Sequence, residues 1–276
     1  MNDDGFGVGL DDQVPDALWA QMVRVLPPPA PKQTDGRPRM DDRHALTAIL
    51  YVRHTGCQGN ALPRSLGAPR TGPDRLQAWR AAQVCERLGQ EGLLPYDALT
   101  GLDWAWQALD GAMTKAPLGG KTVGKNPTDR GTRGTKRRVL TEGQGLPLGG
   151  AVDGAKRHDM QRVDATLEAI MRKRPEPTAL WPQPRWLDKG DDDDAVRETW
   201  EAWRSTAHSR PRGEEMQATR ELPGDRARRW VVERTHAWMN RFRRWLIRWE
   251  KTVEHDLARV HVACAWITFR AAELFG

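Results

Sequence analysis

The stretch from Arg228 to Lys251 constrains this chain more than any other. It contains neither Gly nor Pro. At about 100° per residue, Val231, Trp238, Phe242, Trp245 and Trp249 fall within roughly 60° of one another, which predicts one long helix with a buried aromatic seam. Nine Lys or Arg residues face only Glu233 and Glu250 between Arg226 and Lys251. Glu233 stands off the seam, on a face shared with Asn240 and Arg244, with Arg229 one turn before it. Two readings of this carboxylate follow. It pairs with Arg229, alone or together with Asn240, on the solvated face of a core helix, or it joins carboxylates from elsewhere in the chain.

At 276 residues the chain can bury a proper core, in one large domain or in a large and a small one, and two are favoured. Its 43 Lys/Arg against 37 Asp/Glu leave a net charge of +6, which fits a polyanionic partner. A membrane is the rival polyanion, but no apolar run approaches the roughly 18 residues needed to span one. The N-terminus lacks the basic and apolar regions of a secretory signal, so a cytoplasmic, nucleoid-associated protein is expected. Cys57, Cys85 and Cys264 form no Cys-x-x-Cys pair, which argues against a disulfide or zinc framework.

Residues 1–100 read as a small helical unit. Leu18, Met22 and Val25 mark a helix that Pro27 stops, and Asp41 or Asp42 caps a second that ends at Gly56. A third is expected over residues 74–88 through Leu76, Trp79, Val84 and Leu88. Short helices joined by turns suit a DNA-binding unit. From Leu102 the pattern changes to extended runs: residues 104–109 lead into Asp110-Gly111, residues 137–141 into a Gly-rich turn, and residues 146–152 into Asp153-Gly154. These predict three antiparallel, meandering strands. A helix over 160–174, a short strand at 184–187, a helix over 194–205, a loop over 206–225 and a closing helix over 257–275 complete a mixed α/β domain at residues 101–276.

In this reading Asp110 and Asp188 close two strands and Glu233 lies on a later helix. Strand ends side by side, with a helix packed on that edge, bring three acids together. Such a cluster needs compensation, and hard divalent ions such as Mg²⁺ supply it. Two of them about 3.5–4 Å apart serve in-line phosphoryl displacement. Asp153 is an alternative member of the site or a turn residue, and His158-Asp159 is either a catalytic pair or a helix cap. Residues 121–138 hold seven Lys/Arg and one acid, a hairpin suited to touching DNA or a solubilising loop.

Leu187-Asp-Lys-Gly190, Arg229-x-x-x-Glu233 and Asn240-Arg-Phe-Arg-Arg-Trp245 resemble the DDE transposases of the IS5 family of bacterial insertion sequences. Further matches cover nearly the whole chain, among them Gly36-Arg-Pro-Arg39, Asp110-Gly111, Asn126-Pro-Thr-Asp-Arg-Gly131 and Asp153-Gly-Ala155. The resemblance implies an RNase H-like catalytic domain, metal-dependent cleavage at insertion-sequence ends, and strand transfer into target DNA by the freed 3′-hydroxyl. Asp110, Asp188 and Glu233 correspond to the family's catalytic and metal-binding triad, which implies two Mg²⁺ ions, with Mn²⁺ able to substitute. Double-stranded DNA, both transposon ends and target, is the implied partner, with at least a dimer assembled on it. Arg229, Arg234, Arg241, Arg244, Lys136 and Arg137 are the expected backbone contacts. The chain departs from the family at Asp191, where Tyr is usual, and at Asn240, where a basic residue is frequent. A catalytically inactive, transposase-derived DNA-binding protein is the alternative.

Overall fold

The computed structural model describes residues 14–28, 39–126, 129–154, 163–170, 175–178, 183–186, 206–208 and 229–275. Helix α1 (Asp16–Val25) buries Leu18, Met22 and Val25. Helix α2 (Asp42–Thr55) is capped by the Asp41 carboxylate, which accepts from the His44 amide at 3.0 Å, and ends at Gly56 with φ +69°. Instead of one helix over 74–88 there are two, α3 (Thr71–Ala81) and α4 (Val84–Leu99), separated by Gln83 at φ +57°. The apolar positions explain the break. Leu76, Trp79, Val84 and Leu88 would spread over about 180° of one continuous helix, too wide an arc to face one core. Broken at Gln83, all four are buried.

The sheet contains β1 (Gln107–Lys115), β2 (Gly124–Lys125), β3 (Arg133–Glu142), β4 (Pro147–Gly154), β5 (Pro184–Trp186) and β6 (Thr206–His208). Strands β1, β3 and β4 form the expected antiparallel meander, and the short β2 extends β3 as a hairpin. On its other edge β1 pairs in parallel with β5, and β5 with β6. The order β4-β3-β1-β5-β6, antiparallel on one side and parallel on the other, is the RNase H-like arrangement. Residues 206–208 are therefore strand where a loop was expected. The helix expected over 194–205 lies outside the described residues, and of that over 160–174 only α5 (Val163–Glu168) and its flanks are described.

Successive strand residues face opposite sides of the sheet, and two adjacent glycines show what covers each. A Cβ at Gly149 would come within 2.6 Å of the Ala169 carbonyl, just past α5. One at Gly150 would come within 2.9 Å of Val260 on α7 (Val253–Phe275). Helix α6 (Arg229–Asn240) is laid over β1, on the same sheet face that α7 covers. Helix α4 approaches α7 closely at Gly92, where a Cβ would stand 3.2 Å from Thr268 Oγ1. The apolar core accordingly runs without interruption from α1 through the sheet to α7. Among the described residues no helix is long and apolar enough to cross a membrane.

The long helix expected over 228–251 stops at Asn240. The chain turns through a 3-10 segment, Arg243–Trp245, then runs extended, with Ile247 bridged to Lys115 and the Arg248 amide donating to the Lys115 carbonyl at 2.8 Å. Seam residues Val231, Trp238, Phe242 and Trp245 are buried as predicted, whereas Trp249 is exposed. The buried Arg248 guanidinium accounts for the departure. It donates to the Glu250 carbonyl (2.9 Å), Thr135 Oγ1 (3.1 Å) and the Lys121 carbonyl (3.2 Å), acceptors a continued helix could not bring to it.

Candidate active site

Helix α6 is fixed to the sheet through the first two turns of its buried face. Val231 and Val232 pack with Trp106 and Ala108, removing apolar surface worth roughly 1.5–3 kcal/mol for each large side chain. One turn on, Thr235 donates its hydroxyl to the Gly145 carbonyl at 2.6 Å, and Arg234 donates to the Gln144 carbonyl at 2.5 Å. That turn is itself held by Glu142, whose buried carboxylate accepts from the amides of Gln144 (2.8 Å) and Leu146 (2.9 Å). Burial pushes the Glu142 carboxyl up, and these amides oppose the shift.

With α6 so anchored, the residue that follows Thr235 reaches Asp110. This residue lies inside β1, which continues to Lys115, and not at the strand's end as expected. Its side chain shares the Ala108 face and is 35% exposed. His236 brings Nε2 to 3.4 Å from Asp110 Oδ2. Burial pushes the imidazole below the ordinary histidine range, while Asp110, through its carboxylate and main chain, and the Glu233 carboxylate pull it upward. Asp110 and Glu233, 123 positions apart in sequence, thus act on one ring. Glu233 lies on the outward stripe of α6 with Trp230, Ala237 and Asn240. Sequence reasoning passed over His236, although Glu233-Arg-Thr-His236 has the i, i+3 spacing that sets two side chains on one helix face.

Asp188 lies outside the described residues, as do Asp191, His158 and Asp159. Among the described residues no three His, Cys, Asp or Glu side chains converge as a metal cage. The donors that are described nevertheless suit a hard cation. Asp110 and Glu233 offer carboxylate oxygens, and among the described residues no Lys or Arg is paired with either. Asp153 is buried on β4, with Lys136 as its cross-strand partner.

The basic residues divide by environment. Arg137 is a core residue: it grips Asp256 with Nε at 3.2 Å and Nη2 at 2.6 Å, donates to the Trp245 carbonyl, and lies 4.4 Å from the Trp245 ring. This corrects its expected place on a DNA-facing surface, because a guanidinium 1% exposed and bound internally has nothing to offer a phosphate. Arg234 lies between the rings of Trp230 (4.7 Å) and Trp238 (4.8 Å). Arg244 stands 3.5 Å from Glu250. Lys136 covers Gly111 on the sheet face opposite Asp110. Arg241 is half-buried and Arg229 opens α6. Lys121, Lys125, Arg130 and Arg133, around the β2–β3 hairpin, are exposed.

Comparison with known proteins gives this geometry a class. Residues 186–270 match the Transposase DDE domain, a span that contains Asp188 and Glu233. Residues 14–89 match the family described as transposases of the IS4/5 family. A transposase assigned to insertion sequence element IS402 of Burkholderia cepacia is 32% identical over 160 residues, 55% of this chain and 72% of the relative. A 16.2 kDa protein of the same element and organism is 34% identical over 118 residues, 41% of this chain and 80% of the relative. The Mos1 strand transfer complex aligns with a TM-score of 0.31 at 14% identity, over 88% of this chain and 81% of that one. The chain belongs to the IS4/5 family of DDE transposases. Its activity is DNA transposition, for which DDE domains depend on a divalent cation and act on DNA.

Proposed function

We propose that Asp110, Asp188 and Glu233 form the catalytic triad and hold two Mg²⁺ ions, for which Mn²⁺ can substitute. The observation that carries this is the approach of α6 to β1, which brings His236, on the helix that carries Glu233, to 3.4 Å from Asp110. Sequence position adds support: Trp186 pairs with Ala108, and Asp188 and Asp110 each follow two residues later. Bound there, the ions supply a polarised water and neutralise the departing 3′-oxygen of an in-line displacement. The chain's own part is to fix three carboxylates from separate elements and to hold the DNA backbone beside them. The helices of residues 1–100 and the exposed basic hairpin are the proposed DNA-holding surfaces, acting on phosphates without regard to base sequence. Cleavage frees a 3′-hydroxyl at the insertion-sequence end, and the same site directs that hydroxyl at target DNA. Two ends require at least two copies of the chain.

The test is Asp110→Ala in a nicking assay on insertion-sequence-end DNA with Mn²⁺, alongside a binding titration on the same DNA. Nicking is expected to disappear while affinity stays within a few-fold. Undiminished nicking removes Asp110 from the chemistry, and absent nicking by the unaltered chain favours a DNA-binding protein without catalysis.

A further inference from the structure

Most buried polar groups around α6 visibly serve the fold. Thr235 and Arg234 tie the helix to the β3–β4 turn, and Glu142 closes that turn. His236 does not fit this pattern. Its side chain is 9% exposed, and its ring nitrogens meet only loose contacts, from the carboxylate and the main chain of Asp110. Burying an imidazole so poorly satisfied is costly, and an apolar side chain would extend the packing of Val231, Val232, Trp106 and Ala108 without that cost. Asp110 Oδ2 lies 3.4 Å from Nε2, a distance that a small side-chain movement closes to an ordinary hydrogen bond.

We infer that His236 is a positioning residue, whose Nε2–H holds Oδ2 of Asp110 and so turns the other carboxylate oxygen toward the cation. This rests on the reading of Asp110 as a metal ligand. The Asp110 carboxylate is 35% exposed, which leaves room for more than one orientation. An imidazole is not a fixed cation, so it limits that rotation without the permanent opposing charge that a Lys or Arg in the same place would bring. The ring also sits on the helix that carries Glu233, three residues on, so one rigid element sets the orientation of two ligands contributed by different parts of the chain. Losing such an outer partner typically weakens metal affinity about 10- to 100-fold.

Calorimetric titration of the full chain with Mn²⁺ alone tests this, comparing the unaltered protein with His236→Phe, which keeps a buried aromatic ring, and His236→Gln, whose amide can donate to the same oxygen. Circular dichroism and DNA affinity monitor the fold. The expected result is Mn²⁺ binding at least tenfold weaker in His236→Phe and restored to within a few-fold in His236→Gln. Unchanged affinity in His236→Phe overturns the inference and leaves the metal reading intact. A glutamine variant as weak as the phenylalanine one also overturns it, since packing alone would then explain the loss. No Mn²⁺ binding by the unaltered chain, or binding unaffected by Asp110→Asn, removes the metal reading and this inference with it.

Discussion

Replacing Asp256 by asparagine leaves shape nearly unchanged and removes one charge from the most enclosed ionic group described in the protein. Asp256 is 0% exposed, and the two guanidiniums it faces, Arg137 and Arg248, are each 1% exposed. Arg137 holds the carboxylate at two points, 3.2 and 2.6 Å, and Arg248 stands 3.7 Å away. In the variant Arg248 keeps its carbonyl and hydroxyl acceptors, and Arg137 keeps the Trp245 carbonyl and ring. Two buried cations then lose the carboxylate they share. Breaking a buried pair costs about 3–5 kcal/mol. At roughly 2–4 °C per kcal/mol for a chain of this size, the melting temperature should fall by about 6–20 °C. Urea denaturation followed by circular dichroism gives the free energy directly, with the slope m checked for constancy. A loss below about 1 kcal/mol at unchanged m would falsify the assignment of Arg137 and Arg248 as core cations, and would return Arg137 to the candidate DNA surface.

Further outcomes are specific. Removing the charges of Lys125, Arg130 and Arg133 together should flatten the dependence of log K on log salt by up to about 0.9 for each phosphate no longer neutralised, with sequence preference unchanged; Arg137→Met should leave that slope alone while lowering stability. Gly92→Val should cost about 1–3 kcal/mol, read from the denaturation midpoint, because its branch must enter the space of Thr268. Burial lowers the His261 imidazole to about 4, and desolvation is its only cause. With an unfolded value near 6.5, its contribution is complete above about pH 6.5 and is lost as pH falls toward about 4, at up to roughly 1.4 kcal/mol per pH unit. His261→Leu should flatten denaturation midpoints across that window, and an unchanged slope contradicts the assigned cause.

Much of this architecture is legible in the sequence because it depends on local pattern. Asp41 before an apolar-periodic run, Gly56 after it, and extended runs divided by Asp-Gly and Gly-rich turns identify α2 and the β1–β3–β4 meander by short-range chemistry alone. What stayed hidden depends on distant partners. Nothing between residues 228 and 251 disfavours helix. The chain leaves it at Asn240 because acceptors at residues 121, 122 and 135 surround Arg248. Arg137 reads as one cation in a basic run until Asp256, 119 positions later, is seen to hold it. Residues 206–208 are too few to show an alternation, and only β5 makes them strand. His236 is invisible in isolation, since a histidine between Thr and Ala on an amphipathic helix acquires meaning only when β1 sets Asp110 beside it.

Carboxylates at positions 110, 188 and 233 are proposed to share one metal site. Anomalous scattering from crystals of the protein on end DNA, soaked in Mn²⁺, locates the ions without recourse to activity. Peaks are expected about 2.1 Å from oxygens of all three side chains. Peaks that omit any of the three, or that lie away from α6 and β1, contradict the shared site.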